Sequence, residues 1–554
     1  MAAQRARKGS ARAPRPGHPE PGATRKDPGV GFNVAVVYPG PYRVGAANLG
    51  LQVVYSLIND RPDALAERCF LPARGVPRVL ESGRPLSSFD LVAFSLPYEN
   101  DALGTVRVLL AAGLQPFAAD RGARDPLVLV GGVAATLNPA PLLPIVDAVA
   151  LGEAEPLLPR LLDALGPLRR APRAERLAAL ASVDGLCLSA IPGRPAVRQI
   201  VRDLDAAPVA ATVVPCPAAE MGELMLVEAA RGCIRGCRFC ATGYVGRPPR
   251  FRSAESLRGT LLRLASGGRR VGLVGADLAD HPEVELLVDA VEQGGGTASP
   301  SSLRADAVSA ELLARLGRGG LRTLTLAPET GGEALRRAVN KDVSDESYVE
   351  AAGRAGAAGI PNLKLYLLLG LPGQDEADLD AAAQLLRRVR RAHETGTAAA
   401  FGGSGTVTVS ASPFVPKAGT PLQWAAMAAP ALLRRQGAYL RRCLATIGGV
   451  QLNLGSPRGS LVQALIARGG PEVGSALVAS IHGGIRLEQA LLDAGHDPEA
   501  IALSERPVAA DLPWDDIEHG PESKHLLVER RRFLEGKASP ECEPETCRRC
   551  RWCG

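Results

Sequence analysis

Seven of the chain's eleven cysteines fall in two tight groups. Cys233, Cys237 and Cys240 lie in RGCIRGCRFCATG, and Cys542, Cys547, Cys550 and Cys553 lie in ECEPETCRRCRWCG. Thiolates at such short spacings suit metal or iron–sulfur sites better than disulfides. A cubane iron–sulfur cluster ordinarily takes four cysteines. Three in one C-x3-C-x2-C loop leave one iron without a protein ligand, and an open metal position can bind a substrate. A zinc site would need a fourth ligand, and the nearest candidates, His281 and Cys216, lie off the loop. The second group, C-x4-C-x2-C-x2-C, suits either a second [4Fe–4S] cluster or a structural zinc. The scattered Cys69, Cys187, Cys216 and Cys443 read as small buried hydrophobes. His393, His482, His496 and His525 read as surface residues. His281 lies close to the first cysteine group's expected surroundings, and His519 lies near the second.

These residues need elements to position them. Residues 31–170 alternate strand and helix: FNVAVVYPG, LVAFSLP, PLVLVGG and DAVALGE are apolar strands, with helical patterns between them. That alternation predicts a parallel sheet covered on both faces, binding ligands beyond the carboxyl ends of its strands. Residues 171–222 are rich in proline and read as a linker with short strands. A second alternating series follows from ELMLVEAARG to TVTVSASPFVP, with six strands over residues 223–416. Eight units would make a complete barrel, so six predict a partial, open one, over residues 223–424. Residues 425–554 read as mainly helical, with one strand near VQLNLG.

Composition sets outer bounds. The 554 residues imply more than one domain, and aromatic residues are only 4%, so the cores must be built from Leu, Val and Ala. The net charge of +6 is concentrated in residues 1–30, which hold seven Lys/Arg against two Asp/Glu. The rest of the chain is near neutral, which argues against a wholesale nucleic-acid-binding surface. The first 30 residues lack the apolar stretch of a secretory signal and read as a disordered basic tail. No apolar run is long enough to predict a transmembrane helix.

C-x3-C-x-aromatic-C is the signature of the radical S-adenosylmethionine (SAM) superfamily, which this chain resembles over residues 223–416. The resemblance implies that Cys233, Cys237 and Cys240 hold a [4Fe–4S] cluster whose open iron binds SAM. The reduced cluster would cleave SAM to methionine and a 5′-deoxyadenosyl radical. It also implies that Phe239 lies by the adenine and that Gly275, Ala276 and Asp277 stand where relatives carry a Gly-Gly-Glu-type segment for the SAM amino group. Arg304 would meet the SAM carboxylate, Glu329 in APETGG the ribose and methionine, and Gly370 in LYLLLGLPGQ the adenine.

The preceding α/β layout resembles the Rossmann-like, flavodoxin-type cobalamin-binding domain of one radical SAM class, a family of Fe–S oxidoreductases. No histidine stands between His18 and His281, so no residue of that domain could give an imidazole to cobalt. Cobalamin binding then rests on the likeness of layout alone.

The expected activity is radical activation of a substrate C–H bond, with cobalamin-dependent methyl transfer as its outcome if cobalamin is held. Two alternatives are a methylthiotransferase-like sulfur insertion, whose relatives share the SPFVPKAGTP-like barrel ending, and an Fe–S nucleic-acid-binding protein. A flavodoxin- or ferredoxin-type electron donor and a reducing, cytoplasmic setting are implied. The substrate is not identified by the sequence.

Overall fold

In the computed structural model of the chain, residues 13–29, 31–191, 193–547 and 550–552 are described. The chain divides into two units. The first comprises 1–227 with 469–497 and 512–519, and the second 228–468 with 498–511 and 520–554.

The first unit is built on strands β1 (Phe32–Tyr38), β2 (Ala64–Phe70), β3 (Leu91–Ser95), β4 (Leu127–Gly131), β5 (Ala148–Ala150) and β6 (Leu186–Leu188). Every residue of β1 and β2 is buried, as a parallel sheet covered on both faces requires. The order is β2-β1-β3-β4-β5-β6, parallel except for the antiparallel β5–β6 pair. The first five strands thus follow the 2-1-3-4-5 order of doubly wound sheets, with a switch point between β1 and β3.

Residues 171–222 are therefore not simply a linker. They supply the helix Arg173–Leu180, β6, and Ala196–Val197, which pairs with Ile517–Glu518. Nor are residues 13–29 a free tail. Lys26 Nζ donates to the carbonyls of Asn59 and Arg61 at 2.5 and 2.6 Å. Glu20 is buried against Arg68 at 2.8 Å, and Arg68 is also held by Glu81 at 2.7 Å. Residues 1–12 and Val30 lie outside the described residues. The buried Arg68 would be an uncompensated charge without these carboxylates, and net charge alone gave no sign of the pairing.

The second unit carries strands β7 (Leu224–Glu228), β8 (Arg270–Val274), β9 (Thr297–Pro300), β10 (Thr323–Glu329), β11 (Asn362–Leu369), β12 (Thr406–Pro413) and β13 (Val450–Leu454). They form two sheets, β9-β8-β7 and β10-β11-β12-β13. The strand at VQLNLG is not isolated among helices. It pairs in parallel with β12 and makes a seventh strand in the series. Helices Asp345–Ala357 and Glu376–Phe401 pack at glycines: a Cβ on Gly356 would meet the His393 carbonyl at 2.5 Å. His393 is consequently buried, its ring bonded to the Ile360 carbonyl at 2.9 Å, rather than at the surface.

Among the described residues no helix is long and apolar enough to cross a membrane.

Candidate functional site

The first cysteine loop leaves β7 and doubles back on itself. Gly232 (φ +80°) permits this, since a Cβ there would meet the Gly246 carbonyl at 2.5 Å. The Tyr244 hydroxyl donates to Gly236 O at 3.0 Å, and Cys240 N donates to Cys237 O at 2.9 Å. Cys233, Cys237 and Cys240 are all half-buried and free of disulfides. Burial raises the Cys233 thiol to about 12, with Cys237, Cys240 and Asp277 adding to the shift. Burial likewise raises Cys237 to about 11, opposed by Lys341 and Arg304 and reinforced by Cys240 and Glu329. The three thiols therefore share one electrostatic environment. Among the described residues no group of three or more His, Cys, Asp or Glu is gathered to hold a metal ion. The donor set itself fits an iron–sulfur cluster: three thiols that ionise on binding iron, beside two cations that offset the resulting charge.

Phe239 lies in the loop itself, and the other sequence-predicted residues stand at or just after strands of the same unit. Phe239 packs on the apolar cluster of Leu371, Phe414 and Leu422. Gly275 and Ala276 follow β8, and their carbonyls accept from the Ser301 and Ser302 hydroxyls at 2.8 and 3.3 Å. The Asp277 carboxyl is pushed up to about 6 by burial and by Asp280. Arg304 is not on a strand, because β9 ends at Pro300. It is engaged by Asp306 in a two-pronged pair at 2.8 and 2.7 Å.

Glu329 closes β10 at a bulge, with φ at +67°, a conformation costly for a residue with a Cβ. It pairs with Lys341 at 2.9 Å. Gly370 (φ +74°) turns the chain after β11, and its N–H is capped by Gln374 at 2.8 Å.

Four residues missed in the sequence complete the arrangement. Burial works to lower the Lys341 ammonium, yet Glu329 and Cys237 hold it above the ordinary lysine range. Lysine is rare in this arginine-rich chain, seven against 57, and that was the available signal. Asn340 (φ +59°) donates to Gly236 O at 3.0 Å. Arg238 is fully buried and grips Glu529 at 3.0 and 3.2 Å. Lys341, Asn340 and Glu529 are far from the loop in sequence and carry no local motif, whereas Arg238 lies in the loop itself.

His281 is buried, with ring nitrogens bonded to the main chain of Arg252 and Glu283, each at 3.0 Å. It braces the backbone. His519 belongs to the first unit, where Nε2 reaches the Thr136 and Leu137 carbonyls at 3.1 and 3.0 Å, and burial pushes it down to about 4. His525 is buried rather than at the surface, and contacts Arg247 at 3.2 Å. Of the second cysteine group, Cys542 and Cys550 are buried together, with Cys547 and Trp552 against them; Cys553 lies outside the described residues. Cys69, Cys187 and Cys216 are buried, and Cys443 is half-buried.

The first unit offers a separate constellation at its switch point. The loops after β1, β3 and β4 are pressed together at glycines: a Cβ on Gly104 would meet Pro39 O at 1.8 Å, and one on Gly132 (φ +109°) Leu96 O at 2.5 Å. Each loop presents an exposed apolar side chain, Val44, Tyr98 and Val133. Beside them Asp101 Oδ2 is buried and accepts no hydrogen bond among the described residues. Burial, with Glu99 adding, pushes this carboxyl up to about 6.

Two family models match the chain: "Radical SAM proteins, N-terminal" over residues 50–188 and "Radical SAM superfamily" over residues 227–386. An uncharacterised protein of Methanocaldococcus jannaschii is 25% identical over 405 residues, 71% of this chain and 79% of that one. The tRNA-2-methylthio-N(6)-dimethylallyladenosine synthase of Carboxydothermus hydrogenoformans is 27% identical over 177 residues, 29% of this chain and 39% of that enzyme. Among solved structures, TsrM from Kitasatospora setae is a radical S-adenosylmethionine methyltransferase. With cobalamin and a [4Fe–4S] cluster bound, it matches with a TM-score of 0.51 at 12% identity, covering 84% of this chain and 99% of its own. With tryptophan and a SAM analogue bound, it matches with a TM-score of 0.50 at 13% identity, covering 74% and 77%. Likeness at this identity shows a shared fold.

Proposed function

This chain belongs to the radical SAM superfamily, with the [4Fe–4S] cluster and SAM that membership implies, and from that premise we propose that it transfers a methyl group to a substrate carbon with the help of cobalamin. When bound, the cluster and SAM supply a radical that abstracts hydrogen, and cobalamin supplies the methyl transfer.

The chain's own residues have definite tasks. Cys233, Cys237 and Cys240 hold the cluster as thiolates. Lys341 and Arg304 offset the charge that those thiolates and bound sulfide bring into a half-buried site. Glu329 is fixed by Lys341 and by its strained backbone, so its second carboxylate oxygen is oriented before SAM arrives. The apolar shelf around Phe239 excludes water from the adenine side. Asp277, with its raised carboxyl, and Arg304 stand ready for the amino and carboxylate ends of SAM.

The observation that carries the cobalamin reading is the switch-point constellation. Val44, Tyr98 and Val133 give three adjacent loops an apolar rim suited to a broad planar ring. Asp101 supplies one unsatisfied polar atom there, able to bond an amide edge of the ring. Neither needs an imidazole ligand to cobalt.

The test is retention. The full chain, reconstituted anaerobically with iron and sulfide and incubated with hydroxocobalamin, should keep close to one equivalent after desalting. Asp101→Ala and Tyr98→Ala should keep markedly less. No retention by the native chain would overturn the cobalamin reading while leaving SAM cleavage to be assayed separately. Cys237→Ala should abolish 5′-deoxyadenosine formation; its persistence would falsify the cluster assignment.

The match to a methylthio-forming tRNA enzyme over 177 residues favours a second reading, sulfur insertion. The mass of the product distinguishes it from methylation.

A further inference from the structure

Every residue of β1 and β2 in the first unit is buried, whereas the sheet β10-β11-β12-β13 of the second unit has one covered face and one open face. Leu363, Leu365, Leu367 and Leu369 of β11 are buried, and so are Val407, Val409 and Ala411 of β12. Helices cover that side: a Cβ on Gly437 of the helix Pro430–Ala445 would meet Leu454 Cδ1 at 3.1 Å. The alternate residues make the other face. On it β11 carries Lys364 and Tyr366, β12 carries Thr408 and Ser410, and β13 carries Gln451 and Asn453, none of them buried. Register sets them in two rows, Lys364–Thr408–Gln451 and Tyr366–Ser410–Asn453.

Parallel strands are ordinarily apolar on both faces, so an open polar face on an interior strand needs a reason. Tyr366 is 38% exposed in a strand flanked on both sides, and Lys364 Nζ lies 4.8 Å from the centre of its ring. Short of the bulge at Glu329, Lys364 is the only charged side chain on this face, and it forms no ion pair among the described residues. Each feature selects a property of the ligand. An exposed aromatic ring suits a flat ring stacked on it. Gln451 and Asn453 each offer a donor and an acceptor, which suits a ring edge presenting both, as nucleobases do. A lone ammonium suits a single anionic group such as a phosphate. The ammonium of an amino acid would find no carboxylate in these rows, and a nucleic-acid strand would find one cation only. Lys364 and Tyr366 are two residues apart, roughly 7 Å, a separation that a ribose spans. Asn453 is two strands from Tyr366, roughly 10 Å, within reach across a base lying on the ring. Tyr366 itself stands roughly 10 Å short of the strand ends at which Glu329 pairs with Lys341.

We propose that this open face binds a nucleoside 5′-monophosphate as the substrate, with the base on Tyr366, its edge toward Asn453 and the phosphate on Lys364. That the nucleotide is the substrate rests on the methyl-transfer reading; that it is bound does not.

The full chain, reconstituted anaerobically with iron and sulfide, is dialysed to equilibrium against adenosine, guanosine, cytidine and uridine 5′-monophosphates, each in parallel with its nucleoside. Saturating S-adenosylhomocysteine is present, so that adenine compounds do not score through the SAM site. At least one monophosphate should bind, on the order of tenfold tighter than its nucleoside. Lys364→Ala should erase that advantage while nucleoside binding holds. Tyr366→Ala should weaken the binding of both by roughly tenfold. Both side chains stand on an open face, so each variant should keep the native melting profile by circular dichroism. Failure of all four monophosphates to bind the native chain overturns the proposal without any variant having to fold. Binding that either variant leaves unchanged overturns it too, as does an oligoribonucleotide held where no monophosphate is held. The dialysis needs neither cobalamin nor a reductant, so the two readings fail separately. A nucleotide that is bound but never methylated keeps the site and sinks the methyl-transfer reading, whereas methylation of another molecule with no nucleotide bound does the reverse.

Discussion

Lys341 is joined to Glu329 in a largely buried ion pair and shares its charge with Cys237. Removing one partner of such a pair leaves a desolvated charge, costing about 3–5 kcal/mol. Lys341→Met should therefore lower stability by roughly that amount and sharply reduce SAM cleavage. Adding Glu329→Gln should restore most of the stability but none of the activity. Chemical denaturation of the four proteins in the cycle, with 5′-deoxyadenosine assays, checks both.

His519 gives a pH signature. Its folded-state pKa is about 4, below the ordinary value of 6.5, because burial disfavours the cation. The unfolded chain then binds more protons between pH 6.5 and 4. The stability contributed by neutral His519 is complete above about 6.5 and is lost as pH falls toward 4. The loss is on the order of 3 kcal/mol. His519→Gln should flatten this part of the stability–pH curve, as read by urea melts from pH 7 to 4.5.

At the level of elements, the loop APETGG is set by a close approach. Gly331 lies so near the helix Glu376–Phe401 that a Cβ would meet Ala382 N at 1.9 Å. Gly331→Ala should force the helix away from the Glu329 loop, costing about 1–3 kcal/mol. It should also weaken SAM binding in equilibrium dialysis. The cysteine loop was legible in the sequence because all its ligands fall within eight residues and their spacing is set by local chemistry. The strand–helix alternation was legible because buried parallel strands are apolar throughout. Asp306 lay only two residues beyond Arg304, so their pairing could have been anticipated. Lys341, Asn340 and Glu529 could not: they reach the loop through tertiary packing. The buried face of the 376–401 helix runs from Leu379, Leu386 and Val389 into His393, Gly396 and Thr397, so its apolar periodicity ends before the helix does and the last turns were not legible.

Over the whole molecule the chain is interleaved rather than serial. Residues 469–497 and 512–519 return to the first unit, where Ile517–Glu518 pairs with Ala196–Val197 and Asn138 donates to Gly469 O at 2.8 Å. A fragment ending at residue 227 should thus melt earlier and less cooperatively than the corresponding transition in the full chain, followed by circular dichroism. Adding residues 469–519 as a separate polypeptide should recover part of the difference.

The same return has a meaning in time. On the ribosome the six-stranded sheet is synthesised early, but the strand Ile517–Glu518 that pairs with Ala196–Val197, and His519, which holds the Thr136 and Leu137 carbonyls, emerge roughly three hundred residues later. At ordinary translation rates this is a delay on the order of 15–60 s. Throughout that interval Ala196–Val197 has no strand to pair with and the turn after β4 lacks its bonds to His519. A cofactor seated at the sheet's switch point would be taken up only near the end of synthesis, so supply of the cofactor and completion of the chain become coupled events.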